Sequence, residues 1–133
     1  MSKRLAVLLA EDNAGDVFLV REALLEHRLD FELYLAGDGD TLTALLERVG
    51  IDVPAPDVLL LDLNLPCIDG PELFRRVRAH PLCAHTPLIV ISSSDAARDH
   101  AWTSEFGVSH YFRKPSHLDE FLQLGAIVRK LTS

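Results

Sequence analysis

The sequence has few of the residues that build sulfur-based metal sites or cross-linked secreted folds. It contains only two cysteines, Cys67 and Cys83, which are too few for a disulfide framework and lack metal-ligand spacing. We therefore expect both thiols to be reduced. The six histidines are scattered along the chain and form no ligand pair at helical spacing, so they predict no metal site of their own.

Long apolar runs and clusters of basic residues are missing as well. No apolar run approaches the roughly 20 residues that a membrane helix needs, and the start, Met1 to Arg4, leads into only six apolar residues. These features predict a cytoplasmic protein with no membrane segment. The net charge of −7, without clustered Lys and Arg, argues against nucleic-acid binding, because such a surface must neutralise phosphates.

The chain does contain enough apolar residues for the core of one domain. Its 133 residues are 48% hydrophobic and 25% charged, as in ordinary globular proteins, and include no low-complexity segment. We expect a single domain over residues 1–133, with no second domain after it.

Apolar runs alternate with helical patterns along the whole sequence. The predicted strands are Leu5 to Ala10, Phe31 to Ala36, Val58 to Asp62, Leu88 to Ile91 and Val108 to Phe112. The first predicted helix follows Asp16 and ends near Arg28. The others run from Thr41 to Val49, from Pro71 through Val77, from a cap at any of residues 92–95 to Phe106, and from Leu118 to Leu131. This alternation predicts an α/β fold, a five-stranded parallel sheet with helices on both faces and right-handed crossovers. The flavodoxin-like strand order 2-1-3-4-5 is the simplest arrangement.

Polar residues follow four of the predicted strands at the carboxyl end of the sheet. Glu11 and Asp12 follow strand one, and Asp62 ends strand three, which is its neighbour in this order. Three clustered carboxylates repel one another unless a cation lies among them, and Mg²⁺ prefers such oxygen ligands. Ser92 adds a hydroxyl after strand four, and Lys114 adds a cation after strand five. This set predicts phosphoryl transfer, with Asp62 as the nucleophile.

Each of these residues also has an ordinary structural explanation when it is taken alone. Asp62 could belong to a turn, and Glu11 and Asp12 could favour the start of a helix. Ser92 could cap a helix, and Lys114 could be a solvated charge. Coincidence is nevertheless a poor explanation when one edge of the sheet carries an acid pair, a further acid, a hydroxyl and a lysine.

Over essentially its whole length, the sequence resembles the receiver domain of two-component response regulators, the CheY-like family. The resemblance implies that Glu11 and Asp12 hold Mg²⁺ and that a histidine kinase phosphorylates Asp62. It implies that Ser92 is the hydroxyl switch residue and that Lys114 contacts the phosphoryl group. The intervals of 30 residues from Asp62 to Ser92 and 22 from Ser92 to Lys114 are of the family's type.

The resemblance extends to the switch and to the remaining metal ligand. Tyr111 is similar to the aromatic switch residue, and the backbone carbonyl of Asn64 would complete the metal site. After phosphorylation, Ser92 would move toward the phosphate and Tyr111 would turn inward, which biases the face made by the fourth helix, strand five and the fifth helix. The family also implies a cis peptide bond between Lys114 and Pro115.

Further likenesses concern the partners. The segments around Glu11 and Asp62 and the long connection from Gly50 to Pro56 resemble small stand-alone regulators that partner phytochrome-type histidine kinases. Phe18 and Leu25 fall opposite the buried face of the first helix, beside the acidic site, so we expect the kinase to dock there. The signal would leave through another protein, through self-association as a homodimer, or by return of the phosphoryl group.

Two other functions fit parts of the pattern. A haloacid-dehalogenase-like phosphatase also uses an aspartate and Mg²⁺, but it would need a second Asp where Asn64 stands and a cap insertion that the chain lacks. A receiver-like module acting without phosphorylation would be expected to have lost part of the set of acids, hydroxyl and lysine. We therefore expect a phosphoacceptor that is not an enzyme beyond self-catalysed phosphorylation and dephosphorylation.

Overall fold

The computed structural model describes residues 4–93 and 104–133, and all five predicted strands are present. The strands are β1 Leu5–Ala10, β2 Phe31–Ala36, β3 Val58–Asp62, β4 Leu88–Ser92 and β5 His110–Arg113. They form one parallel sheet in the order β2-β1-β3-β4-β5. The predicted flavodoxin-like α/β fold is thereby confirmed. The largest difference between a predicted and an observed strand boundary is at β5, which begins two residues later than the predicted Val108.

The helices lie where the apolar periodicity predicts them, with some differences at their ends. They are α1 Ala14–Glu26, α2 Gly39–Arg48, α3 Gly70–Ala79, α4 Leu118–Phe121 and α5 Gln123–Thr132. Helix α2 begins two residues earlier than predicted because the Asp38 side chain caps it, accepting the Thr41 N–H at 2.7 Å.

Two helix predictions need comment. The single helix predicted from Leu118 to Leu131 is wrong, because α4 and α5 are separate segments that meet at Leu122, where the Gly125 N–H bonds to the Leu122 carbonyl. Most of the predicted helix that ends at Phe106 lies outside the described residues. Its described end, Ser104–Phe106, is a 3-10 turn.

Two hydrophobic cores cover the faces of the sheet. Every residue of β1, β3 and β4 is buried, as expected for strands covered on both sides. One core packs α2 and α3 against the sheet through the predicted inward residues Leu42, Leu45, Leu46, Leu73, Phe74 and Val77. The other core packs α1 and α5 through Val20, Leu24, Leu124 and Val128. The sheet is therefore held rigidly, which fixes its carboxyl edge.

Helices α1 and α5 approach each other closely at Gly125. A Cβ atom added to Gly125 would collide with the backbone carbonyl of Ala23 and with the ring of His27. Hydrogen bonds reinforce this contact, because His27 Nε2 lies 3.0 Å from the Leu122 carbonyl and Arg129 donates to the His27 carbonyl at 3.2 Å. Only glycine fits at this crossing.

Arg78, near the end of α3, binds the segments that lead into β4 and β5. Its guanidinium donates hydrogen bonds of 2.7 to 3.1 Å to the carbonyls of Cys83, Thr86, Phe106 and Gly107. These contacts satisfy carbonyl groups in two loops and join them to one helix. The amino ends of β4 and β5 are thereby fixed relative to α3.

No helix in residues 4–93 and 104–133 is long and apolar enough to span a membrane.

Candidate functional site

The register of the sheet brings the predicted site residues to one edge. Leu61 pairs with Ala10, so Asp62 lies beside the residue that follows β1, which is Glu11. Asp62 in turn pairs with Ile91 of β4, the residue before Ser92. Because the strands are parallel, their carboxyl ends collect here, where open α/β sheets bind ligands.

Three carboxylates form the acidic cluster of this edge, namely Glu11, Asp12 and Asp62. One oxygen from each lies within 4.8 Å of the others. Glu11 and Asp62 are only 2% and 3% exposed, whereas Asp12 is exposed. Asp12 is therefore the solvent-exposed member of the cluster.

The two oxygens of Glu11 have different surroundings. Oε2 accepts the backbone N–H groups of Asp12 and Asn13 at 3.0 and 3.2 Å. Oε1 is buried and accepts no well-directed hydrogen bond from any described residue. It does lie 2.8 Å from Lys114 Nζ, so its charge is compensated although the direction of approach is poor for a hydrogen bond. A buried oxygen in this condition suits a cation ligand, and hard carboxylate donors suit Mg²⁺.

Lys114 lies at the centre of the negative charge. Besides the contact with Glu11, its Nζ donates to Asp16 Oδ2 at 2.7 Å and to Asp62 Oδ2 at 3.0 Å. The backbone N–H of Lys114 donates to the Ser92 carbonyl at 2.7 Å. The lysine is therefore fixed at both its backbone and its ammonium group.

The charges at the site perturb one another. Burial, together with the neighbouring Asp62, raises the pKa of Glu11 from 4.5 to about 7, although Lys114 opposes the shift. Burial alone would lower the pKa of Lys114, but its contacts with the carboxylates of Asp16, Glu11 and Asp62 outweigh burial and raise the pKa above the ordinary value. The lysine therefore stays charged, and a cation bound at the cluster would favour ionisation of Glu11 at a lower pH.

The carboxylate of Asp62 is held by groups on both of its oxygens. Oδ1 accepts the backbone N–H of Asn64 at 2.8 Å, and Oδ2 faces Lys114. The N–H of Leu63 continues the β3–β4 pairing through a 3.3 Å bond to the Ile91 carbonyl. The Asp62 carboxylate is thus oriented before any ligand arrives. The predicted role of the Asn64 carbonyl as a metal ligand stays a prediction.

The two predicted switch residues occupy different strands. Ser92 is buried at the end of β4, and its carbonyl is the acceptor for Lys114. Tyr111 is half-buried in β5, pairs with Val90 of β4, and packs against the core on the α2 and α3 side. Their proposed movements stay predictions.

One expectation about the site is wrong. All described peptide bonds are trans, so the bond between Lys114 and Pro115 is not cis. The trans isomer of an X–Pro bond is intrinsically favoured by about 0.5–1 kcal/mol. In this structure the trans backbone already lets Lys114 reach Ser92 through its N–H and the three carboxylates through Nζ, so these contacts do not require a cis bond.

The sequence interpretation did not assign Asp16 to the site. Asp16 is far from Lys114 along the chain, so only the folded structure shows their contact. The local signal is the Asn13 cap, whose side chain accepts the Asp16 N–H at 3.0 Å and places the acid in the first turn of α1, beside the end of β1.

Phe18 and Leu25 are exposed on α1, as expected from the helical pattern. Their exposed fractions are 59% and 57%, which are high for large apolar side chains.

The fold and this edge together define a class of protein. A buried aspartate at the end of the central parallel strand, an acidic cluster suited to Mg²⁺ and a lysine on the same carboxylate define an aspartyl phosphoacceptor domain. The family described as response regulator receiver domain matches residues 7–125. The chain belongs to this family.

Individual relatives agree with the family match. Response regulator Rcp1 of Synechocystis sp. is 32% identical over 120 residues, which is 89% of this chain and 82% of that protein. The crystal structure of the phosphorylated cyanobacterial phytochrome response regulator RcpA superposes with a TM-score of 0.85 at 29% identity, over 98% of this chain and 94% of that one. The Mn²⁺-bound structure of response regulator Rcp1 gives a TM-score of 0.81 at 30% identity, with coverage of 95% and 92%.

The family match settles the general function. The protein is a phosphoacceptor of two-component signalling, its partners include histidine kinases, and it is not a catalytic enzyme. The phosphatase interpretation is therefore not supported.

Proposed function

We propose that Asp62 receives the phosphoryl group, with Mg²⁺ held by Glu11, Asp12 and Asp62 and by the backbone carbonyl of Asn64. The observation that carries this proposal is the contact of Lys114 Nζ with the buried Asp62 carboxylate, 3.0 Å away, beside the acidic cluster. An oxygen of Asp62 attacks the phosphorus of a phosphohistidine. The phosphorus–nitrogen bond breaks, and the imidazole leaves with the electron pair and takes up a proton.

The surrounding groups have separate roles in this transfer. The Asn64 N–H holds one oxygen of Asp62 in place, which orients the carboxylate for attack. The Lys114 ammonium neutralises charge on a phosphoryl oxygen. A bound Mg²⁺ would supply further neutralisation of the charge that develops on the equatorial oxygens.

The phosphorylated state is proposed to act through Ser92 and Tyr111. Ser92 follows the strand residue that pairs with Asp62, so its hydroxyl is well placed to move toward a phosphoryl group there. Tyr111 is one strand further from Asp62 and half-buried, so an inward turn of its ring would change the exposed surface of β5. Phosphorylation would bias this two-state arrangement and change the surface that includes β5 and α5.

The cognate kinase is proposed to be of the phytochrome type, acting in the cytoplasm. The support is the likeness to the cyanobacterial phytochrome response regulator together with the exposed pair Phe18 and Leu25 on α1, the helix that contributes Asp16 to the site. A homodimer is a second association that the same exposed surfaces could form.

The test is phosphorylation by acetyl phosphate and Mg²⁺, followed by intact mass. The wild-type protein should gain one phosphoryl group, while Asp62→Asn should gain none. Asp40→Asn, an exposed acid in the first turn of α2, is the matched control and should behave as wild type. Chelator should prevent the reaction. If Asp62→Asn gains the group at the wild-type rate, the assignment of the phosphoacceptor is wrong.

A further inference from the structure

Asp16 makes the shortest of the three contacts of the Lys114 ammonium group. The distance from Nζ is 2.7 Å to Asp16 Oδ2, 2.8 Å to Glu11 Oε1 and 3.0 Å to Asp62 Oδ2. Asp16 is not among the carboxylates of the acidic cluster, Glu11, Asp12 and Asp62. It therefore contacts the catalytic machinery through the lysine rather than through the expected metal position.

Both partners of this contact are anchored. The Asn13 side chain accepts the Asp16 N–H at 3.0 Å, and the Asn13 carbonyl accepts the Val17 N–H at 3.0 Å, so the first turn of α1 is well formed. A negative charge is favourable at this end of a helix. Lys114 is held by its own N–H on Ser92. The Asp16–Lys114 pair is partly buried, and it differs from mobile surface pairs, which contribute little.

This contact conflicts with the needs of a phosphorylated Asp62. Of the three hydrogens of the ammonium group, one bonds to Asp16 and one to Asp62, and Glu11 Oε1 lies 2.8 Å from the nitrogen. A phosphoryl group on Asp62 would draw on the same ammonium group, and it brings a charge of roughly −2 close to Asp16. The Asp16 carboxylate lies against the same ammonium group, so it competes for Lys114 and repels the incoming group.

We propose that Asp16 is a positioning residue that shares the Lys114 ammonium group with Asp62, so that less of its charge serves the phosphoryl group and phosphorylation of Asp62 is slower. This inference rests on the proposed function of Asp62. Asp16 acts through Lys114: while the lysine is bound to Asp16, less of its positive charge is available to the transferring phosphoryl group. The wild-type protein therefore accepts a phosphoryl group more slowly than a protein without the Asp16 carboxylate would.

The rate of phosphorylation by acetyl phosphate tests the proposal. Asp62 attacks phosphorus, the bond from phosphorus to the acetyl oxygen breaks, and acetate leaves. Asp16→Asn should raise the initial rate about tenfold at saturating Mg²⁺, which corresponds to about 1.4 kcal/mol. Asp16→Glu keeps the charge and should restore the wild-type rate, and Asp40→Asn should not alter it. An unchanged or lower rate in Asp16→Asn overturns the proposal.

Two further measurements separate this role from other roles of Asp16. The affinity for Mg²⁺ should stay within about twofold in Asp16→Asn, since a larger change would make Asp16 a metal ligand instead. In chelator, the shifts in melting temperature of Asp16→Asn and Lys114→Met should be non-additive in the double variant. Additive shifts would mean that the contact does not exist in solution, and the proposal would fail.

The outcomes also distinguish this inference from the proposed function. If the wild-type protein gains no phosphoryl group, the function assigned to Asp62 is wrong and the role of Asp16 fails with it. If the wild type is phosphorylated normally and Asp16→Asn matches it, only the role of Asp16 is wrong.

Discussion

Glu11 should make the metal-free protein lose stability as the pH rises. Its pKa is about 7 in the folded protein against an ordinary 4.5, because burial and Asp62 disfavour the charged form. Below pH 4.5 the carboxyl is protonated in both states and carries no penalty. As the pH rises toward 7, the unfolded chain ionises freely while the folded protein resists ionisation. The stability that protonated Glu11 gives the folded protein is therefore lost between pH 4.5 and about pH 7.

The size of the loss follows from the two pKa values. At 1.36 kcal/mol for each pKa unit, a rise from 4.5 to about 7 corresponds to about 3 kcal/mol of unfolding free energy. The contact with Lys114 is already included in this value, because it opposes the shift. A cation bound to Glu11 at high pH should return stability, and Mg²⁺ at 100 times its dissociation constant returns about 2.7 kcal/mol.

The assay is urea unfolding in chelator at several pH values between 4.5 and 8.5, for the wild type and for Glu11→Gln. The neutral amide has no carboxyl to ionise, so subtracting one curve from the other removes the other titrating groups. The stability of Glu11→Gln relative to wild type should grow by about 3 kcal/mol up to pH 7 and then level off. Added Mg²⁺ should stabilise the wild type more than the variant. A difference that is independent of pH would refute the reasoning.

Three further predictions concern other parts of the structure. Gly125→Ala should lower the free energy of unfolding by roughly 3 kcal/mol, since the new methyl group would collide with Ala23. An unchanged urea midpoint would contradict the close contact between α1 and α5. Cys67→Gly should raise the free energy of unfolding by about 1 kcal/mol, because Cys67 has a φ of 66°, a backbone conformation that is strained for residues other than glycine. A lower urea midpoint in this variant would argue against the strain. Phe18→Ser with Leu25→Ser should slow transfer from the kinase at least tenfold but leave the reaction with acetyl phosphate unchanged, and equal losses with both donors would exclude a docking role.

The strands and the edge of the sheet could be predicted because their signals are local. A strand buried on both faces leaves a continuous apolar run, and β3 is such a run that ends on an acid. The convergence of Glu11, Asp62 and Ser92 then follows from topology alone, because all parallel strands end at the same edge. The resemblance supplied the roles, and the family match supports the same general function.

What the sequence could not show depends on geometry across the fold. The contact between Asp16 and Lys114 joins residues from opposite ends of the chain, and no local pattern links them. The break at Leu122 is a small backbone change inside a good helical pattern. The cis peptide bond was inferred from the family, and the trans isomer satisfies the contacts seen here.

The contacts of Arg78 give β4 and β5 unequal freedom at their two ends. Because one guanidinium joins the loops before both strands to α3, a displacement of either strand at its amino end would break several hydrogen bonds at once. At the opposite ends, backbone hydrogen bonds join Lys114 to Ser92 and Leu63 to Ile91, and Lys114 Nζ also contacts Asp62. A change that begins at Asp62 would therefore bend these strands near their carboxyl ends instead of shifting them as whole bodies.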